Sequence, residues 1–183
     1  MPRDPADTKD RILRAAAAEF AERGIAGARV DRIVESAGTG KGLVYNYFGS
    51  KEKLFDTVYG MLTAETMDNV PFDAANLGEY AAALYDHNQD NPAAVRLTYW
   101  FRLERGDAEL PESAVASQAR KVAAVKEAQA AGVVNADIPA EELLGSVLAI
   151  ILGGLPEPPK PTPAARRARR QAIVRAVERI VAP

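Results

Sequence analysis

An all-α fold is what this sequence predicts, and three observations carry it. Apolar residues recur at three- and four-residue spacing, as in Ile12, Ala16 and Phe20 or Leu54, Val58 and Leu62. Helix start and stop signals punctuate the segments between: Asn91-Pro92 and Thr162-Pro163 open helices, and Gly24, Gly38 and Gly106 close them. No stretch alternates apolar and polar residues as a half-buried strand would. About nine helices follow, with no internal repeat.

Taken in order, residues 1–6 hold two prolines and mixed charge and read as a loose arm. Asp7 caps the first helix, whose stripe is Ile12, Leu13, Ala16, Ala17 and Phe20 and which Gly24 stops. Two short helices follow around Ala37-Gly38. Val30, Ile33 and Val34 mark the inner face of one, and Val44 and Phe48 that of the other. Ser50 caps a longer helix carrying Leu54, Val58 and Leu62, with Phe55 and Tyr59 alongside. After a break containing Pro71, Leu77, Tyr80, Ala81 and Leu84 define a helix that ends near His87. The segment VRLTYWFRL after Asn91-Pro92 is apolar nearly all round, which predicts burial on most sides. An acidic loop with Pro111 leads to an Ala-rich helix with Val115, Ala119, Val122 and Ala123 as its stripe, running to Gly132. A helix from Ala140 to Leu152 shows Leu143, Leu144, Val147, Leu148, Ile150 and Ile151. The tract PEPPKPTP, residues 156–163, is a stiff connector to a last helix with Ile173, Ala176, Val177 and Ile180 on one face.

The stretch from Arg29 to Leu54 organises the rest. Its second short helix, Lys41 to Phe48, is too short to persist alone, so neighbours must hold it and its outward side chains sit on a rigid platform. That is the design of a helix-turn-helix whose second helix enters the major groove of DNA. The first helix, the core Val30 and Ile33, the turn Ala37-Gly38, and the run Lys41-Gly42, Tyr45, Tyr47-Phe48, Ser50-Lys51-Glu52 and Leu54 closely resemble the TetR family of transcriptional regulators. The resemblance covers about the first third of the chain. Two positions depart from it: Gly40 replaces a Ser-like cap, leaving the cap to Thr39 or to Gly40 itself, and Leu43 replaces a small hydroxyl residue.

Charge and composition narrow the function. Net charge is −2, spread unevenly: residues 1–52 hold nine Lys/Arg against eight Asp/Glu, 53–159 seven against sixteen, and 160–183 seven against one. An acidic body confines DNA contact to one docking face, and it favours a neutral or cationic ligand over an anion. Cysteine is absent and His87 is the single histidine, which argues against disulfides, thiol catalysis and a protein-ligated metal; no cofactor is expected. No nucleophile motif or phosphate-binding loop occurs, so the chain is not expected to be an enzyme. With no signal peptide and no apolar run of roughly 20 residues, a cytoplasmic protein without membrane contact is expected.

The candidate sites follow. Residues 1–52 form the DNA-binding domain and 53–183 a ligand-binding and dimerisation domain. Lys41 suits base-edge acceptors or phosphate, Asn46 suits base edges, and Tyr45 offers a ring to thymine methyls and a hydroxyl. By resemblance Tyr47, Lys51 and Arg29 contact phosphate, which with Thr39, Gly42 and Leu43 completes the DNA-facing set. The resemblance also implies a ligand-responsive repressor acting on double-stranded operator DNA, with Met61, Phe72, Tyr80, Trp100 and Phe101 lining an effector cavity. It further implies a homodimer through a four-helix interface of Leu143, Leu144, Val147, Leu148, Ile151, Ile173, Val177 and Ile180. The Arg166, Arg167, Arg169 and Arg170 cluster reads as a solvated helix face. The rival reading is a helical interaction module whose DNA-binding head localises a protein partner.

Overall fold

Nine α-helices and one short 3-10 turn make up the computed structural model over the described residues, 5–106, 110–153 and 161–183. They are α1 (Pro5–Gly27), α2 (Val30–Ala37), α3 (Lys41–Phe48), α4 (Lys51–Asn69), α5 (Leu77–Asp90), α6 (Pro92–Glu104), α7 (Glu112–Ala130), α8 (Ala140–Leu152) and α9 (Pro163–Val181), with the 3-10 turn at Ala74–Asn76. The chain forms two compact units, one of Met1–Glu65 with Asn91–Ala114, the other of Thr66–Asp90 with Val115–Pro183. The first four residues of the expected arm, residues 107–109 of the acidic loop and residues 156–160 of the proline tract lie outside the described residues.

In the first unit α1 is the spine. Ile12, Ala16 and Phe20 are buried with Ile33 of α2, Val44 of α3, Leu54, Phe55 and Val58 of α4, and Leu97 and Phe101 of α6. Phe20 meets Phe55 edge to face at 5.2 Å, and Tyr59 stacks on Phe101 at 4.6 Å, so aromatic contacts link three helices. Ser50 caps α4 as expected, its Oγ accepting from the Lys53 amide at 3.2 Å. Asp7 does not cap α1; the helix already begins at Pro5, and Asp7 pairs with Arg11 one turn on, at 3.4 Å.

Gly24 breaks α1 rather than ending it. At φ +69° it leaves the helical backbone, and a further turn continues to Gly27. The cause lies in α6: a Cβ on Gly24 would meet the Trp100 ring at 2.8 Å and collide with the Glu104 carboxylate. The break leaves backbone groups of α1 without helical partners. Arg96 Nε and Trp100 Nε1 donate to the Ala21 carbonyl at 2.5 and 3.3 Å, and the Ala26 amide donates to Glu104 Oε2 at 2.8 Å. Arg96, Trp100 and Glu104 stand four residues apart, so one polar stripe of α6 serves this joint. That stripe explains why α6 is not buried on most sides. Only Leu97 and Phe101 go under, while Leu103 is 76% exposed.

In the second unit α5 lies against α8 and α9. Leu77, Ala81 and Leu84 of α5 share a core with Leu143 and Val147 of α8 and with Ile173 and Val177 of α9. Gly78 permits the close approach, since a Cβ there would sit 3.0 Å from the Glu178 side chain. At the rim Arg166 pairs with Asp90 at 2.9 Å and Arg170 with Asp86 at 2.8 Å, so the arginine cluster partly faces α5 instead of water. Such exposed pairs contribute about 0–1 kcal/mol each. Thr162 Oγ1 accepts from the Ala165 amide at 3.2 Å and caps α9. α7 is turned differently from the expected stripe: Val115, Ala119 and Ala123 are exposed, while Ser117 and Val125 are buried with Lys121 half-buried between them. Alanines gain little from burial, so Val125 and the Lys121 stem decide the rotation.

Gly24→Ala should therefore cost about 1–3 kcal/mol through backbone strain and the clash with α6. Urea denaturation followed by Trp100 fluorescence measures it.

Candidate nucleic-acid interface

The geometry of the interface is set by how α1 grips both ends of α2. At the C-terminal end, Gly38 turns left-handed at φ +60°, and the Thr39 amide donates back to the Val34 carbonyl at 3.0 Å. Arg11 Nη1 donates to the Ala37 carbonyl at 2.9 Å, satisfying one of the acceptors a helix end exposes. Two turns along α1, Glu19 Oε1 accepts from the Arg29 amide at 3.0 Å and from Arg32 Nε at 2.7 Å. Glu19 is only 8% exposed. Burial raises its pKa, but the Arg32 and Arg29 hydrogen bonds outweigh that and hold the carboxyl below its ordinary value. Its negative charge also faces the N-terminus of α2, where the helix dipole favours it.

On this frame α3 buries Val44 and Phe48 and turns Lys41, Gly42, Leu43, Tyr45 and Asn46 to solvent, with Tyr47 half-buried. Gly40 holds the N-cap position and no side chain caps the helix, so Thr39 does not serve there. Gly costs only a few tenths of a kcal/mol at that position relative to a polar cap. Arg29, Asp31, Lys41, Tyr45, Lys51 and Glu52 are among the residues lining a shallow recess of about 420 Å³ beside α3. Its charges are mixed, and its two lysines already hold partners. Lys41 Nζ pairs with Asp31 at 2.9 Å, and Lys51 Nζ donates to the Ala28 carbonyl at 3.2 Å. The Lys41 hydrogen bond holds Asp31 below the usual carboxylate range, and the same bond raises Lys41.

The expected effector residues fall into two groups. Met61, Trp100 and Phe101 belong to the first unit, where Trp100 closes the α1 break and Phe101 stacks on Tyr59. Phe72 and Tyr80 belong to the second, in edge-to-face contact at 4.8 Å. The expected dimer face needs a correction. Leu143, Leu144, Val147, Ile151, Ile173 and Val177 are buried inside one chain, and only Leu148 and Ile180 stay half-buried. The apolar faces of α8 and α9 were expected to lie outside the core; instead α5 packs against both helices, and most of the residues named for the interface are core.

Sequence reasoning passed over Arg11, Glu19, Arg32, Arg96 and Glu104. A signal existed for Glu19, which falls at i+7 from Ile12 and so sits within the apolar stripe of α1. The four-residue spacing of Arg96, Trp100 and Glu104 was a second.

Comparison with known proteins agrees with this geometry. Residues 12–58 match the family described as bacterial regulatory proteins, tetR family, and residues 76–179 match the tetracyclin repressor-like C-terminal domain. Over 150 residues the chain is 43% identical to the HTH-type transcriptional repressor SCO4008 of Streptomyces coelicolor, covering 81% of this chain and 78% of that one. The HTH-type transcriptional repressor NicS of Pseudomonas putida is 32% identical over 106 residues, 54% of this chain and 50% of its own. Among solved structures, SCO4942 of Streptomyces coelicolor, a candidate transcriptional regulator, superposes with a TM-score of 0.78 at 35% identity, covering 95% of this chain and 98% of that one.

Replacing Glu19 by Gln should cost about 1–3 kcal/mol at neutral pH by loosening α2. Because the folded-state pKa is lowered, the Glu19 contribution is complete above the ordinary value of 4.5 and is lost as pH falls through the folded value. Urea titrations from pH 7 downward should show a constant difference between the two proteins above the ordinary value and a shrinking one as pH falls below it.

Proposed function

The chain belongs to the TetR family of bacterial regulatory proteins, and from that premise we propose that it is a homodimeric repressor that holds a pseudo-palindromic operator and leaves it when a small-molecule effector binds. The observation that carries the reading is the exposed polar face of α3, backed by Val44 and Phe48 and framed through α2 by Arg11 and Glu19. Residues 1–52 do the reading, and residues 53–183 supply effector binding and pairing. No helix among the described residues is long and apolar enough to cross a membrane, and a reader of bacterial operators works in the cytoplasm.

On DNA, Lys41 and Asn46 meet base edges, Tyr45 meets a thymine methyl, and Arg29, Tyr47 and Lys51 meet phosphates. Lys51 reaches phosphate with donors left over from its bond to Ala28, since an ammonium has three. Lys41 keeps donors too, but the Asp31 carboxylate beside it offsets its charge, so the recess carries a built-in competitor for its own cation. Dimerisation uses the outer sides of α8 and α9, where Gly145, Ser146, Ala149, Ala168 and Ala172 are exposed and small enough for close helix approach. A two-fold dimer then sets half-sites roughly 34–36 Å apart or a multiple of it.

Gel shifts with sheared genomic DNA, followed by sequencing of the bound fraction, test the core of this reading. An enriched inverted repeat supports it, and uniform binding defeats it. On the enriched site Asn46→Ala should cost about 1–3 kcal/mol, whereas Lys51→Ala should weaken all sequences alike and lower the salt slope by about one charge. Asp31→Asn should strengthen binding at low salt, because it removes a carboxylate from the phosphate face and frees Lys41. Gly145→Arg tests pairing: a side chain there meets nothing within 4 Å in its own chain, so the protomer should fold, sediment as a monomer and lose tight operator binding. Charging Ile151 or Val177 would unfold the protomer instead.

A further inference from the structure

Lys121 holds a charge in the second unit that no described carboxylate answers. It is half-buried on α7, one turn after buried Ser117 and one before buried Val125. Its Nζ donates to the Tyr80 hydroxyl at 3.1 Å and lies 5.7 and 5.4 Å from the centres of the Phe72 and Tyr80 rings. Burial first, and then the neighbouring Arg120, pulls its pKa below the ordinary lysine value, while burial pushes Tyr80 up to about 12. Both groups therefore stand in poorly hydrated surroundings, and no carboxylate among the described residues pairs with either.

The donor count is uneven. An ammonium has three N–H donors, and one of them goes to Tyr80. That bond uses Tyr80 as an acceptor, so its own O–H remains a donor with no acceptor recorded among the described residues. Two donors thus stand side by side on α5 and α7, next to apolar Phe72. A cation so placed is short of an anion, and a carboxylate has two oxygens able to accept from both groups.

We infer that Lys121 and Tyr80 bind the carboxylate of a small organic acid whose apolar body lies against Phe72, and that this acid is the effector, a role that rests on the repressor function proposed above. The acidic composition of residues 53–159 points the other way, toward a neutral or cationic ligand. Exposed carboxylates beyond a Debye length of about 8–10 Å are screened, whereas a half-buried ammonium in direct contact is not. The local charge therefore selects the ligand. The aromatic pair, edge to face at 4.8 Å, gives the apolar body a ring neighbour in Phe72, which is less buried than Tyr80.

Calorimetry on the full chain without DNA, using benzoate, phenylacetate and 3-phenylpropanoate beside their amides and 2-phenylethylammonium, tests the site. At least one acid should bind about ten-fold more tightly than its amide, and the ammonium should not bind. Lys121→Gln should reduce the acid to the level of its amide. Lys121→Met, which keeps the apolar stem, should do the same if the first variant fails to fold. Tyr80→Phe should weaken the acid about three- to ten-fold with little change in Tm. An amide or the ammonium binding as well as the acid, no acid binding at millimolar concentration, or unchanged affinity in a folded Lys121 variant overturns the proposal. Gel shifts on the enriched operator, with and without the binding acid, separate the two claims. Release supports the effector role. An acid that binds without releasing DNA overturns that role and leaves the site standing, while failure of the protein to select any operator sinks the repressor reading and does not alter the calorimetry.

Discussion

A helix that stops in the middle of a structure leaves carbonyls and amides that must find partners, and the broken end of α1 finds them on α6. Arg96 and Trp100 take the Ala21 carbonyl, Glu104 takes the Ala26 amide, and Gly24 supplies both the backbone angle and the missing Cβ that let α6 come so close. The other placements in the first unit build on α1. α1 is held at its far end, Glu19 and Arg11 hang α2 from it, and α2 with Val44 and Phe48 sets the face of α3. The placement of α3 thus rests on the core beneath it and on a handful of side-chain bonds to backbone groups.

This arrangement bears on how a helix as short as α3 is used. Eight residues gain too little from their own hydrogen bonds to stay helical. Their order comes from the core beneath, where Val44 is fully buried beside Ile33. The outward side chains can then be chosen for DNA alone. Asp31 is the exception, since its carboxylate pairs with Lys41 on the same side of the molecule. A weak general attraction to phosphate suits a protein that must find one site among many.

Much of this was legible in the sequence, and the failures have a common physical origin. The bounds of α2, α3 and α8 were readable because Gly, Pro and apolar spacing are local signals. The exposed face of α3 followed from the same periodicity. What could not be read was which apolar stripe meets which. The stripes of α8 and α9 are apolar enough for a subunit interface, yet α5, distant in sequence, packs against both helices. On α7 the alanine-rich pattern was nearly symmetric, so one valine and one lysine stem settled the rotation. The aromatic residues grouped as a single pocket belong to two separate units, because composition marks aromatic residues without saying which helices bring them together.

Gly42 sits in the first turn of α3, on its exposed side, with nothing within 4 Å of where a side chain would begin. Most positions on a DNA-reading helix are constrained twice, by the base they meet and by the core they protect. This one is constrained by neither core nor cap. A Cβ can be added there without a clash, and for most residues leaving glycine favours the helix. Position 42 is thus a place where the chemistry of this face can change while the packing beneath it stays as it is.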